Sequence, residues 1–151
     1  MNMKRFSQRG FTLIEILIVI GIIAILAAVV IVAINPARQF KQANDSQRSS
    51  NVTTILNAIH QFSVDNRGRL PTDVTTSSQE ICATGATCGA AFADLAELTN
   101  SEIYLGEIPS DPRCPTDCGT NGTGYFVIKS ANGRVTVSAP LAELASISVT
   151  R

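Results

Sequence analysis

From Phe11 to Ile34 the only polar side chains are Thr12 and Glu15, and this run constrains the chain more than anything else in it. As an α-helix, at about 1.5 Å per residue, the run is about 36 Å long, enough to cross a hydrocarbon layer of about 30 Å with some tilt. It is apolar all round, as a helix must be when lipid or other apolar helices surround it. A uniformly water-soluble enzyme is therefore the first reading to discard. The flank Met1–Gly10 carries Lys4, Arg5 and Arg9 and no acid. By the positive-inside bias it is expected to stay in the cytoplasm, with the rest of the chain outside; Arg38 and Lys41 oppose this weakly. A secretory signal peptide fits poorly. Its apolar run is about 7–15 residues and ends in a small-x-small site, whereas this run is longer and closes on Val32-Ala33-Ile34-Asn35-Pro36.

Glu15 needs a reason to be there. A carboxylate deep in a bilayer costs about 2.5–3.5 kcal/mol, less near an interface, and such groups are usually functional. Reaching the headgroups explains how Glu15 is tolerated, but not why an acid stands at this place. A positive partner at the same depth would explain it, and cleavage after Gly10 creates one. The new α-amino group on Phe11 would have a reference pKa of about 7.7–8.0 and be mostly charged.

The segment Arg9-Gly10-Phe11-Thr12-Leu13-Ile14-Glu15, followed by the aliphatic run to Ala33, resembles the prepilin signature of type IV pilins and type II secretion pseudopilins. The resemblance implies cutting after Gly10 by a prepilin peptidase on the cytoplasmic side and N-methylation of Phe11. It also implies pairing of Glu15 with the Phe11 amine of a neighbouring subunit during filament assembly. The physical logic is independent of the resemblance. When such helices leave lipid and pack together, an unpaired buried charge is strongly destabilising, so only a register that pairs Glu15 with an amine is accessible. Leu13, Ile14, Ile16, Leu17 and their successors supply the adhesion, each fully buried aliphatic side chain being worth about 1.5–3 kcal/mol. Gly21 and Pro36 are the helix-weakening positions, with a bend expected near Val32–Pro36.

Beyond Pro36, Phe40, Ala43, Val52, Ile55, Leu56, Ile59 and Phe62 recur mostly at steps of three and four among polar residues, the pattern of an amphipathic helix. One long helix from about Phe11 to Val64 is expected, stopped by Asn66-Arg67-Gly68 and Pro71. Further on, Leu70–Gln79 reads as loop and Ala90–Leu98 as a short helix. Tyr125–Lys129 and Arg134–Ala139 read as a hairpin turned at Ala131-Asn132-Gly133, with Ser146–Thr150 as a further strand. The expected architecture is α+β: a long N-terminal helix, transmembrane in its first half, packed against a small antiparallel sheet. The divisions are a leader over 1–10, a membrane and filament-core helix over 11–34, an amphipathic half over 35–65 and a small head over 66–151.

The four cysteines are Cys82, Cys88, Cys114 and Cys118, with spacings that match no familiar zinc pattern. For a head outside the membrane, disulfides are the better reading. Of the three pairings, Cys82–Cys88 with Cys114–Cys118 is favoured, and bridges joining the two loops are the alternative. The lone His60 reads as a residue flanking the apolar stripe, since metal sites need several ligands. Asp111, Asp117, Thr120 and Asn121 gather oxygen ligands in a turn-rich loop and are candidates for Ca²⁺, although the same residue types are ordinary in turns. Gly119, Gly122 and Gly124 precede a strand, unlike a nucleotide-binding loop.

No Gly-x-Ser-x-Gly, His-Glu-x-x-His or Cys/His constellation supports an enzyme. Twelve basic residues balance twelve acidic ones. Losing the leader removes three basic residues and no acid, leaving −3, which gives no electrostatic case for direct nucleic-acid binding. The leading function is therefore a structural filament subunit of a pilus or pseudopilus. Its partners would be other copies of itself, the peptidase and methylase, the inner-membrane assembly machinery, minor pilins and, before assembly, lipid. It would start in the cytoplasmic membrane as a single-pass protein and end in an extracytoplasmic filament. The alternative is an extracytoplasmic binding or sensing module on a permanent single membrane helix, which leaves Glu15 and the Arg9-Gly10-Phe11 junction unexplained.

Overall fold

The computed structural model describes residues 10–151; the basic leader residues Lys4, Arg5 and Arg9 lie outside the described residues. The chain divides into two compact units, the first ending at Gln39 and the second covering Phe40–Arg151.

The first unit holds helix α1, Leu13–Ile34, which runs uninterrupted through Gly21. A mid-helix glycine costs about 1 kcal/mol against alanine but removes no hydrogen bond, so it need not break the run. The break falls at Asn35, which takes left-handed backbone angles (φ 48°, ψ 78°) immediately before Pro36. Proline has no N–H to donate and disfavours helical angles in the residue before it. Asparagine is among the few residues that visit the left-handed region readily. The continuous helix expected from Phe11 to Val64 is therefore two helices, α1 and α2, the latter spanning Pro36–Asp65. Proline opens α2 at its first position, where the missing N–H costs nothing.

In the second unit, α2 buries Arg48, Asn51, Val52, Ile55, Leu56, Ala58, Ile59 and Phe62. Phe40, expected on this stripe, is 71% exposed, and Ala43 is exposed too. The buried face of α2 begins only at Arg48. It joins one apolar cluster with Ile81 of β1 (Gln79–Cys82), Ala93 of β2 (Phe92–Ala93), Tyr125 and Val127 of β3 (Gly122–Lys129), and Val135, Val137 and Ala139 of β4 (Val135–Ala139). The short helix α3, Ala96–Thr99, adds Leu98. Val135, Val137 and Ala139 alternate with half-buried Thr136 and Ser138, the period-two pattern of a strand with one face on a core.

The sheet has five strands in the order β2-β1-β3-β4-β5, with β5 at Ile147–Thr150. The β3–β4 hairpin turns at the expected place, and Gly133 supplies the positive φ (81°) that its turn requires. All ladders are antiparallel except β1–β2, which is parallel, so the sheet is mixed instead of purely antiparallel. The helix expected over Ala90–Leu98 is accordingly replaced by strand β2 followed by α3. Two residues of β2 pair with Glu80 and Ile81, and that pairing outweighs the weak helical spacing of Phe92, Leu95 and Leu98.

Both favoured disulfides are present, Cys82–Cys88 and Cys114–Cys118, with Cα–Cα distances of 5.9 and 5.1 Å. Each closes a very short loop, for which chain entropy gives about 2 kcal/mol. Reduction should therefore lower the melting temperature of the head while leaving the helical circular-dichroism signal intact; loss of that signal on reduction would contradict the core described above.

Candidate functional site

Two sets of side chains stand out, one at the start of α1 and one in the head. At the start of α1 the backbone of Thr12 is extended, and its hydroxyl accepts the Glu15 N–H at 3.3 Å. In return, Glu15 Oε2 accepts both the Thr12 N–H and the Thr12 hydroxyl, each at 2.8 Å. This reciprocal capping box satisfies donors that a helix start otherwise leaves orphaned. In hydrocarbon no water would satisfy them. The carboxylate also sits at the positive end of the helix dipole. Thr12-Leu13-Ile14-Glu15 carries this S/T-x-x-E signature, and that spacing is the sequence signal for a role of Thr12 beside Glu15. Glu15 thus has a local role in the single chain, through Thr12.

The residues ahead of this cap are open. Phe11 is 85% exposed. No atom lies within 4 Å of where a Cβ would stand on Gly10, so nothing within the described chain requires glycine there. The large aliphatic side chains of α1, from Leu13 to Ile34, are likewise exposed in the single chain. Among the described residues, α1 is the helix long and apolar enough to cross a membrane.

In the head, Arg48 of α2 is fully buried and grips the equally buried Asp111 through two hydrogen bonds, Nε to Oδ2 at 2.7 Å and Nη2 to Oδ1 at 3.0 Å. A third bond runs to Asp45 at 2.8 Å. Asp45 in turn accepts the backbone N–H groups of Glu143 (3.0 Å) and Leu144 (2.8 Å), in the connection between β4 and β5. Arg48 therefore ties α2 to two separate loops. The bonds it donates to Asp111 hold the Arg48 guanidinium charged well above the ordinary arginine range. Burial pushes the Asp45 carboxyl up, but the hydrogen bonds from Glu143, Arg48 and Leu144 outweigh it and hold the group below its usual value. One turn along α2, Asn51 donates to the Tyr125 hydroxyl at 2.8 Å. Gly124 is confined to glycine by a φ of 78° and by Cys118 Sγ and Asp111 Cβ, which a Cβ would meet at 2.8 and 2.9 Å.

These bonds decide how the proposed calcium ligands fit. Both oxygens of Asp111 face Arg48, and Oδ1 also accepts the Arg113 N–H at 2.9 Å. Asp117 is paired with Arg113. The Asn121 amide nitrogen donates to the Thr87 carbonyl at 2.9 Å. No group of three acidic, cysteine or histidine ligands assembles among the described residues. The positive charge that Asp111 and Asp117 face in this structure comes from the guanidinium groups of Arg48 and Arg113.

A family model for the prokaryotic N-terminal methylation motif matches residues 5–31. The chain is 33% identical over 106 residues to type II secretion system core protein G of Escherichia coli (strain K12), covering 70% of this chain and 67% of that one. It is 47% identical over 60 residues to the type IV wide pilus major component PilA4 of Thermus thermophilus, covering 40% of this chain and 44% of that relative. No solved structure gives a significant match.

Proposed function

Because the chain belongs to the family of type IV pilins and type II secretion pseudopilins, we propose that it is a structural subunit of a membrane-assembled filament and not an enzyme. Its precursor sits in the cytoplasmic membrane through α1, with the basic leader in the cytoplasm and the head outside. A prepilin peptidase cuts after Gly10 and Phe11 is N-methylated. The inner-membrane assembly machinery then moves α1 out of lipid into a filament core built from copies of the same helix, with minor pilins among its partners.

The observation that carries this reading is the start of α1. A glycine that nothing among the described residues requires precedes an exposed Phe11 and a capped acid one turn into an apolar helix. A demand for a small residue at Gly10 then comes from another molecule, as a peptidase would impose. Packing α1 among its copies keeps from water the aliphatic side chains that are exposed in one chain, which holds the filament together once lipid is left behind. Glu15 sets the register: when the core closes, its carboxylate must meet a cation, and the Phe11 amine of a neighbour is the one that cleavage supplies.

Mass spectrometry of the N-terminus tests this directly. A chain beginning at a methylated Phe11 is expected, and an intact Met1 leader in wild-type membranes would overturn the reading. Gly10→Val should leave full-length precursor in the membrane with the head folded; normal maturation of that variant would remove the peptidase from the scheme.

A further inference from the structure

A cleft of about 580 Å³ lies in the head between the end of α2, the turn after it and the β3–β4 hairpin, lined among others by His60, Ser63, Arg69, Thr72 and Lys129. That volume is in the range of small-molecule sites, about 300–1,000 Å³. Its polar lining is cationic or neutral. Among the described residues neither Arg69 nor Lys129 has an acidic partner within ion-pair distance. Of the nearby acids, Glu97 accepts the N–H and hydroxyl of the lining residue Thr72, and Asp73 accepts the Asp94 N–H at 3.0 Å. Further cations adjoin the lining in sequence, Arg67 beside Gly68 and Arg134 between Gly133 and Val135. The Nε2 atom of His60 is buried with no hydrogen-bond partner, alone in this among the described side chains.

We propose that this cleft binds a small ligand through a phosphate or carboxylate group, with Arg69 and Lys129 supplying the charge and His60, on the cleft wall, reporting its occupancy. Charge-assisted hydrogen bonds from arginine and lysine are the strong ones for both groups. The Ser63 hydroxyl offers a bond to the body of the ligand, and Leu70, Pro71 and Val74 give it an apolar wall. The site is independent of the filament reading, since none of its residues belongs to α1.

His60 is the only histidine in the chain, so a histidine-labelled sample of the full chain in detergent micelles shows one imidazole signal. Titration at constant pH with inorganic phosphate, and separately with glucuronate, reads the site, with sodium chloride at matched ionic strength as the control. A saturable shift with a dissociation constant of about 1 mM or below is expected in at least one arm. Saturation by phosphate alone assigns a phosphate ligand, by glucuronate alone a carboxylated one, and by both an anion site open to either group. The double variant Arg69→Gln, Lys129→Gln should weaken binding about tenfold or more with an unchanged circular-dichroism spectrum. If it misfolds, Arg69→Gln alone, at an exposed side chain, carries the same reading. A shift no greater than that caused by sodium chloride in both arms, or binding undiminished in the variants, would overturn the proposal.

Discussion

Glu15→Gln should be processed and capped like the wild type yet fail to form filaments. Glutamine keeps the shape and the acceptor oxygen that a capping box uses, so the bond from the Thr12 N–H survives. What it loses is the negative charge. In a filament core that leaves a neighbour's amine buried without a partner, at a cost of about 3–5 kcal/mol per subunit. A factor of ten per 1.4 kcal/mol makes this a loss of at least about a hundredfold in the assembly equilibrium of each added subunit. Glu15→Ala should fail equally and also lose the cap. Comparing sheared filaments with the membrane-retained mature subunit measures both variants. Wild-type filament yield from the glutamine variant would show that Glu15 serves only as a helix cap.

The second large effect is expected at Arg48. Arg48→Leu strands Asp111, a carboxylate with no solvent exposure, and removes the cation that Asp45 faces. Breaking a buried pair from one side costs about 3–5 kcal/mol, a large share of the 5–15 kcal/mol typical of a folded domain. The head should be unfolded or close to its midpoint at growth temperature, while the double variant Arg48→Leu, Asp111→Leu should recover most of the loss. Thermal melts of the three proteins measure the difference, and a single variant as stable as the wild type would show the pair to be dispensable. Acid should loosen the same joint. The Asp45 carboxyl is held below its ordinary value in the fold, so the stability it contributes is complete above the ordinary aspartate range, about pH 4, and is lost as pH falls below it.

What could be read from the chain beforehand follows the range of the interactions. Glu15 was visible because a lone acid among aliphatic residues has no ordinary explanation, and the α2 face from Val52 to Phe62 because a helix repeats every three or four residues. The β3–β4 turn announced itself through Ala131-Asn132-Gly133. Strand β2 did not, since two residues of Phe92–Ala93 become a strand only by pairing with β1 across an intervening loop. The burial of Arg48 was equally hidden: its polar neighbours Gln47 and Ser49 suggest a solvated face, and its partner Asp111 lies 63 positions away. The same gap made Asp111 look like a metal ligand. The cation its carboxylate faces is a side chain from a distant helix.

The two disulfides span only six and four positions, and neither joins α2 to the sheet. A head pulled apart between α2 and its sheet therefore transmits the load through side-chain packing and the Arg48 grip, with covalent sulfur links off that route. Single-molecule stretching should yield the same rupture force for this joint in oxidised and reduced protein, the bridges shielding their own small loops from unravelling once the joint has given way.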